Sequence, residues 1–170
     1  MRRRHPVPTL WLMTDERLGD GLWAAIERLP RGAGIVFRHY ATPEPERRRM
    51  FAKVARIARA RGLVVVRAGA APMRGEMGTH NRSRRGILTF SVHCRSEAVA
   101  ARRLGADVLF VSPMFATRSH KDARMLSNVR AMLIVREVPG ALIALGGMDA
   151  RRFRRLRGFD GWAAIDAWTR

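Results

Sequence analysis

The chain has 170 residues, 47% apolar and 28% charged, a globular balance that excludes intrinsic disorder, collagen-like repeats and low-complexity sequence and suits one domain over residues 1–170. Lysine plus arginine number 33 against 14 aspartate plus glutamate, a formal charge of +19, and only Lys53 and Lys121 are lysines. Such a field attracts polyanions without specificity, but the arginines are spread over nearly every segment instead of clustering with aromatics, which disfavours a dedicated nucleic-acid surface.

No apolar run approaches the roughly 18 residues that a membrane span needs. The Arg-rich start meets Pro6 and Pro8 before any apolar stretch, so residues 1–7 read as a basic tail and the expectation is a soluble, cytoplasmic protein without a signal peptide. Cys94 is the only cysteine; it excludes an intramolecular disulfide and a cysteine-built zinc site, and it suits a reducing compartment.

Thr9-Leu10-Trp11-Leu12-Met13-Thr14 is an apolar run that leaves into Asp15-Glu16, the pattern of a buried strand ending in a polar loop. Leu22, Trp23, Ile26 and Leu29 then recur at helical spacing before Pro30, and Gly32-Ala33-Gly34 leads into a second strand, Ile35-Val36-Phe37-Arg38. Pro43, Glu44 and Glu46 suit the start of a helix, where proline forfeits no hydrogen bond and carboxylates meet the positive end of the dipole. Met50, Phe51, Val54, Ile57 and Ala58 mark its inner face as far as Arg61-Gly62, and Leu63-Val64-Val65-Val66 is the third strand. Further strands are predicted over residues 87–93, 107–112, 141–145 and 162–165. Helices are predicted from Ser96 to Gly105, over 129–138 and over 148–158, with a loop over 113–127.

Strand and helix alternate throughout, which predicts parallel strands with right-handed crossovers, either an eight-stranded TIM (β/α)8 barrel or a doubly wound open sheet. There is no G-x-G-x-x-G between a strand and a helix and no Walker loop, so nucleotide-binding open sheets lose weight and the barrel leads. Such barrels usually need roughly 200 residues. The barrel is therefore predicted to be shortened or partly disordered around residues 67–85, where at most one short strand, near residues 77–80, fits.

Ligands of such a barrel sit at the C-terminal ends of the strands. Arg38 ends strand two there, Ser91 and His93 end strand five, and Thr117-Arg118-Ser119-His120-Lys121 follows strand six. That loop gathers two hydroxyls, two cations and an imidazole, which suit a diphosphate through charge-assisted hydrogen bonds; a solvated loop is the plainer alternative. Gly146-Gly147 after strand seven leaves backbone amides open to an anion, with a simple tight turn as the alternative. No histidine has a partner at H-x-x-x-H spacing, so His39, His80 and His93 read as structural or solvated, and His120 stands out among them. Cys94 has no base beside it and reads as a bystander thiol; Trp23, Trp162 and Trp168 read as packing residues.

Taken in order, Leu12-Met13-Thr14-Asp15, Ser91-Val92-His93-Cys94-Arg95-Ser96-Glu97, Ser112-Pro113-Met114-Phe115-Ala116-Thr117-Arg118-Ser119-His120-Lys121, Ile143-Ala144-Leu145-Gly146-Gly147-Met148 and Gly161-Trp162-Ala163-Ala164-Ile165 resemble the thiamine phosphate synthase / TenI family. In that family strand six ends in a G/S-P-x-F-x-T-x-S/T loop and strand seven in A-x-G-G. The resemblance spans most of the chain and implies a TIM barrel that binds a hydroxymethylpyrimidine diphosphate and a thiazole phosphate. It implies a transferase that joins them through a pyrimidine carbocation with loss of pyrophosphate, Mg²⁺ and basic side chains neutralising the leaving group. Carried over by position, Arg38, Ser91, Thr117, Ser119 and Lys121 contact the pyrophosphate or pyrimidine, and Gly146 and Gly147 receive the thiazole phosphate; Arg38 and Ser91, with His120 from the reading of its own loop, are the catalytic candidates.

The departures from the family pattern are informative. Its Q-x-R-x-K on strand two reads Val36-Phe37-Arg38-His39-Tyr40 here, so only the arginine survives. Its strand-three Asn-Asp falls at about Arg67-Ala68, and the aspartate that follows G-x-H-L-G has no counterpart beyond Gly78-Thr79-His80. The usual Mg²⁺ carboxylates are thus missing, no metal ligand is assigned, and Arg38 or Arg67 would have to replace the cation. The family's serine after strand eight corresponds to Asp166, whose charge would repel a phosphate. The expectation is a thiamine phosphate synthase-like protein whose activity is open to loss with the metal ligands. The alternatives are a thiazole tautomerase using His120 or His93, although the family tautomerase's histidine position holds Pro113, a non-catalytic phosphate-ligand-binding protein and, last, a nucleic-acid-binding protein.

Overall fold

Apart from the short polar strand Gly78–His80, the strands of this protein are short and mostly apolar because both of their faces are buried, one in the interior of a barrel and the other under a layer of helices. The computed structural model describes residues 7–82, 86–116 and 124–169. Its strands are β1 (Leu10–Met13), β2 (Gly34–Phe37), β3 (Val64–Arg67), β4 (Gly78–His80), β5 (Ile87–Val92), β6 (Val108–Val111), β7 (Ala141–Leu145) and β8 (Gly161–Ala164). All neighbours pair in parallel, and β8 pairs with β1, so the sheet closes into a TIM (β/α)8-type barrel and the open-sheet alternative falls. Helices α1 (Gly21–Arg28), α2 (Glu44–Arg61), α3 (Arg95–Arg103), α4 (Asn128–Val135) and α5 (Ala150–Phe153) lie outside it. None of the described helices is long and apolar enough to cross a membrane.

Alternation along the strands sorts two cores. Trp11, Met13, Val36, Val66, Val108, Phe110, Ile143 and Ala163 fill the interior, while Leu12, Ile35, Phe37, Val65, Leu109, Val111 and Ala144 meet the helices. Trp11 is the largest interior side chain and explains one glycine: a Cβ on Gly34 would lie 2.2 Å from the Trp11 ring. Its indole N–H donates to the Pro8 carbonyl at 2.7 Å, so the one polar atom of this plug is satisfied at the barrel floor.

The shortened arc falls where the length argument put it. No helix separates β3 from β4, and the six residues between β4 and β5 are too few for a helix and its turns. β4 has three residues and meets β3 through the single pair Arg67↔Thr79. Residues 83–85 lie outside the described residues.

Three predicted helices have different bounds in the structure. The segment 148–158 contains only the four helical residues of α5; Arg155 and Leu156 then donate to the carbonyls three residues back, at 3.0 Å each. Phe153 and Leu156, with Phe159 just beyond the segment, are spaced by three and all pack on the outer core, which matches tight three-residue turns and not the 3.6 period of an α-helix. α3 begins at Arg95, one residue before the predicted opening at Ser96, with the Glu97 carboxylate accepting the His93 amide at 2.6 Å. α4 stops at Val135, short of the predicted 138, and Glu137 takes a positive φ of 60°.

Candidate functional site

The C-terminal ends of β2, β4, β5, β7 and β8, with the loop after β6, surround a pocket of about 610 Å³ whose lining includes Arg38, His80, Ser91, Ser112, Gly146 and Arg152. Arg38 continues the inward set of β2 one residue beyond the strand. Its Nε donates to the Thr14 carbonyl at 2.8 Å and its Nη2 to Asp15 Oδ2 at 3.1 Å, while its backbone N–H donates to the Thr14 hydroxyl at 2.9 Å. Burial pulls the guanidinium pKa down and the Asp15 carboxylate opposes that pull. Beside it, Arg17 reaches from the 3-10 turn Glu16–Leu18 to within 3.6 Å of both Asp15 and Asp166. The charge of Asp166, read from the sequence as repelling a phosphate, is therefore countered by Arg17.

His80 ends β4, and its ring meets Phe110 of the interior core at 5.7 Å between centroids. Nδ1 lies 2.9 Å from the Thr89 hydroxyl and Nε2 lies 3.2 Å from the Ser91 hydroxyl. The Thr89 hydroxyl has the Thr79 carbonyl as its own acceptor at 3.4 Å. That direction leaves Thr89 to accept from Nδ1–H and leaves Nε2 to accept from Ser91, so the chain runs from Ser91 through His80 to Thr89. Burial, with the Arg38 charge as a smaller cause, lowers the His80 pKa to about 3, and the ring is neutral across the physiological range. Ser91 thus donates its O–H to His80 Nε2 and keeps its lone pairs to accept a hydrogen bond from a ligand.

On the opposite rim, Gly146 and Gly147 have φ of 95° and 59°. A Cβ on Gly147 would lie 2.4 Å from the Ala116 carbonyl oxygen, so close approach of the loop after β6 already requires glycine there, whatever the pair binds. Arg152 Nη1 donates to the Gly147 carbonyl, and its guanidinium carbon stands 5.4 Å from the centre of the Phe115 ring. The arginine is thereby held beside the Gly-Gly turn.

Of the residues singled out in the sequence, Arg38, Ser91, Gly146 and Gly147 converge on this pocket. Thr117, Ser119, His120 and Lys121 lie outside the described residues. His93 lines the rim, half-exposed and 3.0 Å from the Glu97 carboxylate. His39 is structural: buried, bonded to Thr14 and stacked on Phe37. Arg67 does not reach the pocket, because it shares the outward parity of Val65. Fully buried, it is bound by Glu76 and by the Gly69 carbonyl, so it cannot replace a cation in the mouth.

Sequence reading missed Arg17, Arg152 and the role of His80. Arg152 sits among the arginines of Arg151-Arg152-Phe153-Arg154-Arg155, in a segment predicted only as helix; its distance of five residues from Gly147 was the available signal. His80 was visible only by extending β4 to its last inward residue.

The described residues do not suit Mg²⁺. No group of three or more histidines, cysteines or carboxylates comes together among them. The carboxylates nearest the mouth are engaged with arginine: Asp15 with Arg38 and Arg17, Asp166 with Arg17, and Asp149 with Arg152. A hard cation that needs about six oxygen ligands finds no such set.

Comparison with known proteins agrees with this architecture. A family model described as thiamine monophosphate synthase matches residues 54–168. The thiamine-phosphate synthases of Syntrophomonas wolfei and Ruminiclostridium cellulolyticum are 33% and 34% identical over 84 and 83 residues. Each match covers 48% of this chain and 40% of the relative, so the similarity spans less than half the length of these proteins. Among solved structures, the thiamine phosphate pyrophosphorylase from Pyrococcus furiosus superposes with a TM-score of 0.79 at 25% identity, covering 94% of this chain and 86% of that one.

Proposed function

The chain belongs to the thiamine monophosphate synthase family, and from that premise we propose that it is a transferase joining a hydroxymethylpyrimidine diphosphate to a thiazole phosphate. The observation that carries the reading is the convergence of Arg38, Ser91 and Gly146, from β2, β5 and β7, on one pocket at the strand C-termini. A pocket of about 610 Å³ is in the range that holds small-molecule ligands.

The bond between the pyrimidine's methylene carbon and the diphosphate oxygen breaks, and both electrons leave with pyrophosphate. The thiazole nitrogen then gives its lone pair to the methylene carbon, so the exchange is balanced without an added reductant or base. Positive groups fixed where the leaving group gathers charge lower this barrier. Arg38 suits the task because Thr14 and Asp15 already hold its guanidinium, so it needs no reorganisation during the reaction. Arg17 lies beside it, and Arg152, beside the Gly-Gly turn, would meet the phosphate of the thiazole. Neutral His80 keeps positive charge away from the forming carbocation, and Ser91 offers its lone pairs to an N–H of the heterocycle. Mg²⁺ bound with a diphosphate would add positive charge in the same place; the described residues supply no cage for it.

The test is formation of thiamine phosphate by the purified chain supplied with both substrates and Mg²⁺. The expected result is thiamine phosphate and pyrophosphate in equal amounts, with Arg38→Ala lowering kcat/KM by about a hundredfold, the scale of losing one transition-state donor. No product from the unaltered chain overturns the reading.

A further inference from the structure

A second opening, larger than the pocket, lies away from the strand C-termini. A groove of about 1890 Å³ follows the flank of α2 to the N-terminal face of the barrel, with Ala52, Ala55, Arg56, Arg59, Met77 and Ile87 in its walls. It occupies the side of the barrel where, among the described residues, no helix follows β3 or β4. In a barrel with a helix after every strand, that side is covered.

The walls combine two properties. Alanines, Met77 and Ile87 supply apolar surface, and Met77 is 44% exposed. Around them stand Arg56 and Arg59 on α2 and Arg74 on the facing loop, all three exposed. No carboxylate among the described residues pairs with any of these three, and α2 carries no acidic residue after Glu46. Unpaired positive charge around an apolar floor is complementary to a surface with the opposite pattern.

We infer that this groove docks one amphipathic helix of a partner protein, its apolar stripe on Ala52, Ala55, Met77 and Ile87 and its carboxylates on Arg56, Arg59 and Arg74. The volume is right for about four turns of a helix about 10 Å across, and helix-in-groove docking joins an apolar stripe to flanking charge in this way. A second copy of this chain is disfavoured as occupant by mutual repulsion at a formal charge of +19. The chain's own start, Met1-Arg2-Arg3-Arg4-His5, has the wrong sign. Groove and pocket share no lining residue, so the inference does not depend on the transferase reading.

Two peptides of about 16 residues, the length of about four helical turns, test it: one places leucines at i, i+3, i+4 and i+7 between glutamates, and the other has the same composition scrambled. Fluorescence anisotropy at about 150 mM salt, where long-range attraction is screened, measures their binding to the full chain. The amphipathic peptide is expected to bind at least tenfold more tightly than its scramble and to slow hydrogen exchange in α2. The double variant Arg56→Glu/Arg59→Glu, checked for an unchanged melting temperature, is expected to lose that difference. Equal binding of both peptides would overturn the inference in favour of general polyanion attraction, and full binding by the double variant would overturn it too. So would a concentration-dependent dimer, seen by light scattering and dissolved by the same two substitutions, which would assign the groove to self-association.

Discussion

The buried imidazole of His80 makes fold stability depend on pH in a way that can be calculated. In the native state its pKa is lowered to about 3 from an ordinary value of 6.5, so the unfolded chain takes up a proton below pH 6.5 that the folded chain refuses. Stability is therefore fully present above 6.5 and falls with pH towards 3, by about 1.4 kcal/mol per unit in mid-window. Between pH 7 and pH 5 the loss from this residue is about 2 kcal/mol. His39, whose pKa burial also lowers, adds a loss of the same sign. Glu16 and Glu97 have pKa values below the ordinary 4.5, so their contributions are lost only at lower pH. Urea unfolding followed by tryptophan fluorescence at pH 7, 6 and 5 measures the slope. His80→Gln, which keeps an amide between Thr89 and Ser91, removes the His80 share and flattens the curve by about 2 kcal/mol over that range. Parallel pH dependences in the two proteins, or an NMR titration of His80 with a midpoint near 6.5, would refute the reasoning.

Two further substitutions probe how the mouth and the shortened arc are held. Gly147→Ala forces a Cβ to 2.4 Å from the Ala116 carbonyl at a φ of 59° and is expected to cost about 2 kcal/mol of stability; an unchanged melting temperature would show that the loop after β6 yields freely. Glu76→Gln leaves the buried Arg67 guanidinium without its carboxylate and is expected to cost about 3 kcal/mol, whereas Arg67→Met/Glu76→Leu together should restore most of that. Comparable loss in both variants would show that the pair is not what holds residues 68–77.

Where sequence reading succeeded and failed follows from the physics of buried strands. The alternation of apolar runs with helical patterns identified a parallel barrel, and chain length identified the arc that had to be thin. The Ser112–Phe115 and Gly146-Gly147 segments located half of the pocket because their glycines and proline have backbone consequences that survive in one sequence. Arg67 was misjudged because Leu63-Val64-Val65-Val66 is apolar on both faces. Such a strand shows no alternation, and inward cannot be told from outward until the register is known. β4 is shorter still, and three residues do not display the parity that aims His80 at Ser91. The turns after α5 were read as helix because Phe153 and Leu156, three apart, fit either period over so short a span.

The central claim is that fixed guanidiniums at the barrel mouth meet the charge of a diphosphate. Calorimetric titration of inorganic pyrophosphate into the purified chain, with and without EDTA, tests it most directly when Arg38→Gln is run beside the unaltered protein. The account predicts binding that EDTA leaves intact and that Arg38→Gln weakens by at least about tenfold, the scale of one charge-assisted hydrogen bond. Binding abolished by EDTA, or unchanged in Arg38→Gln, would contradict it.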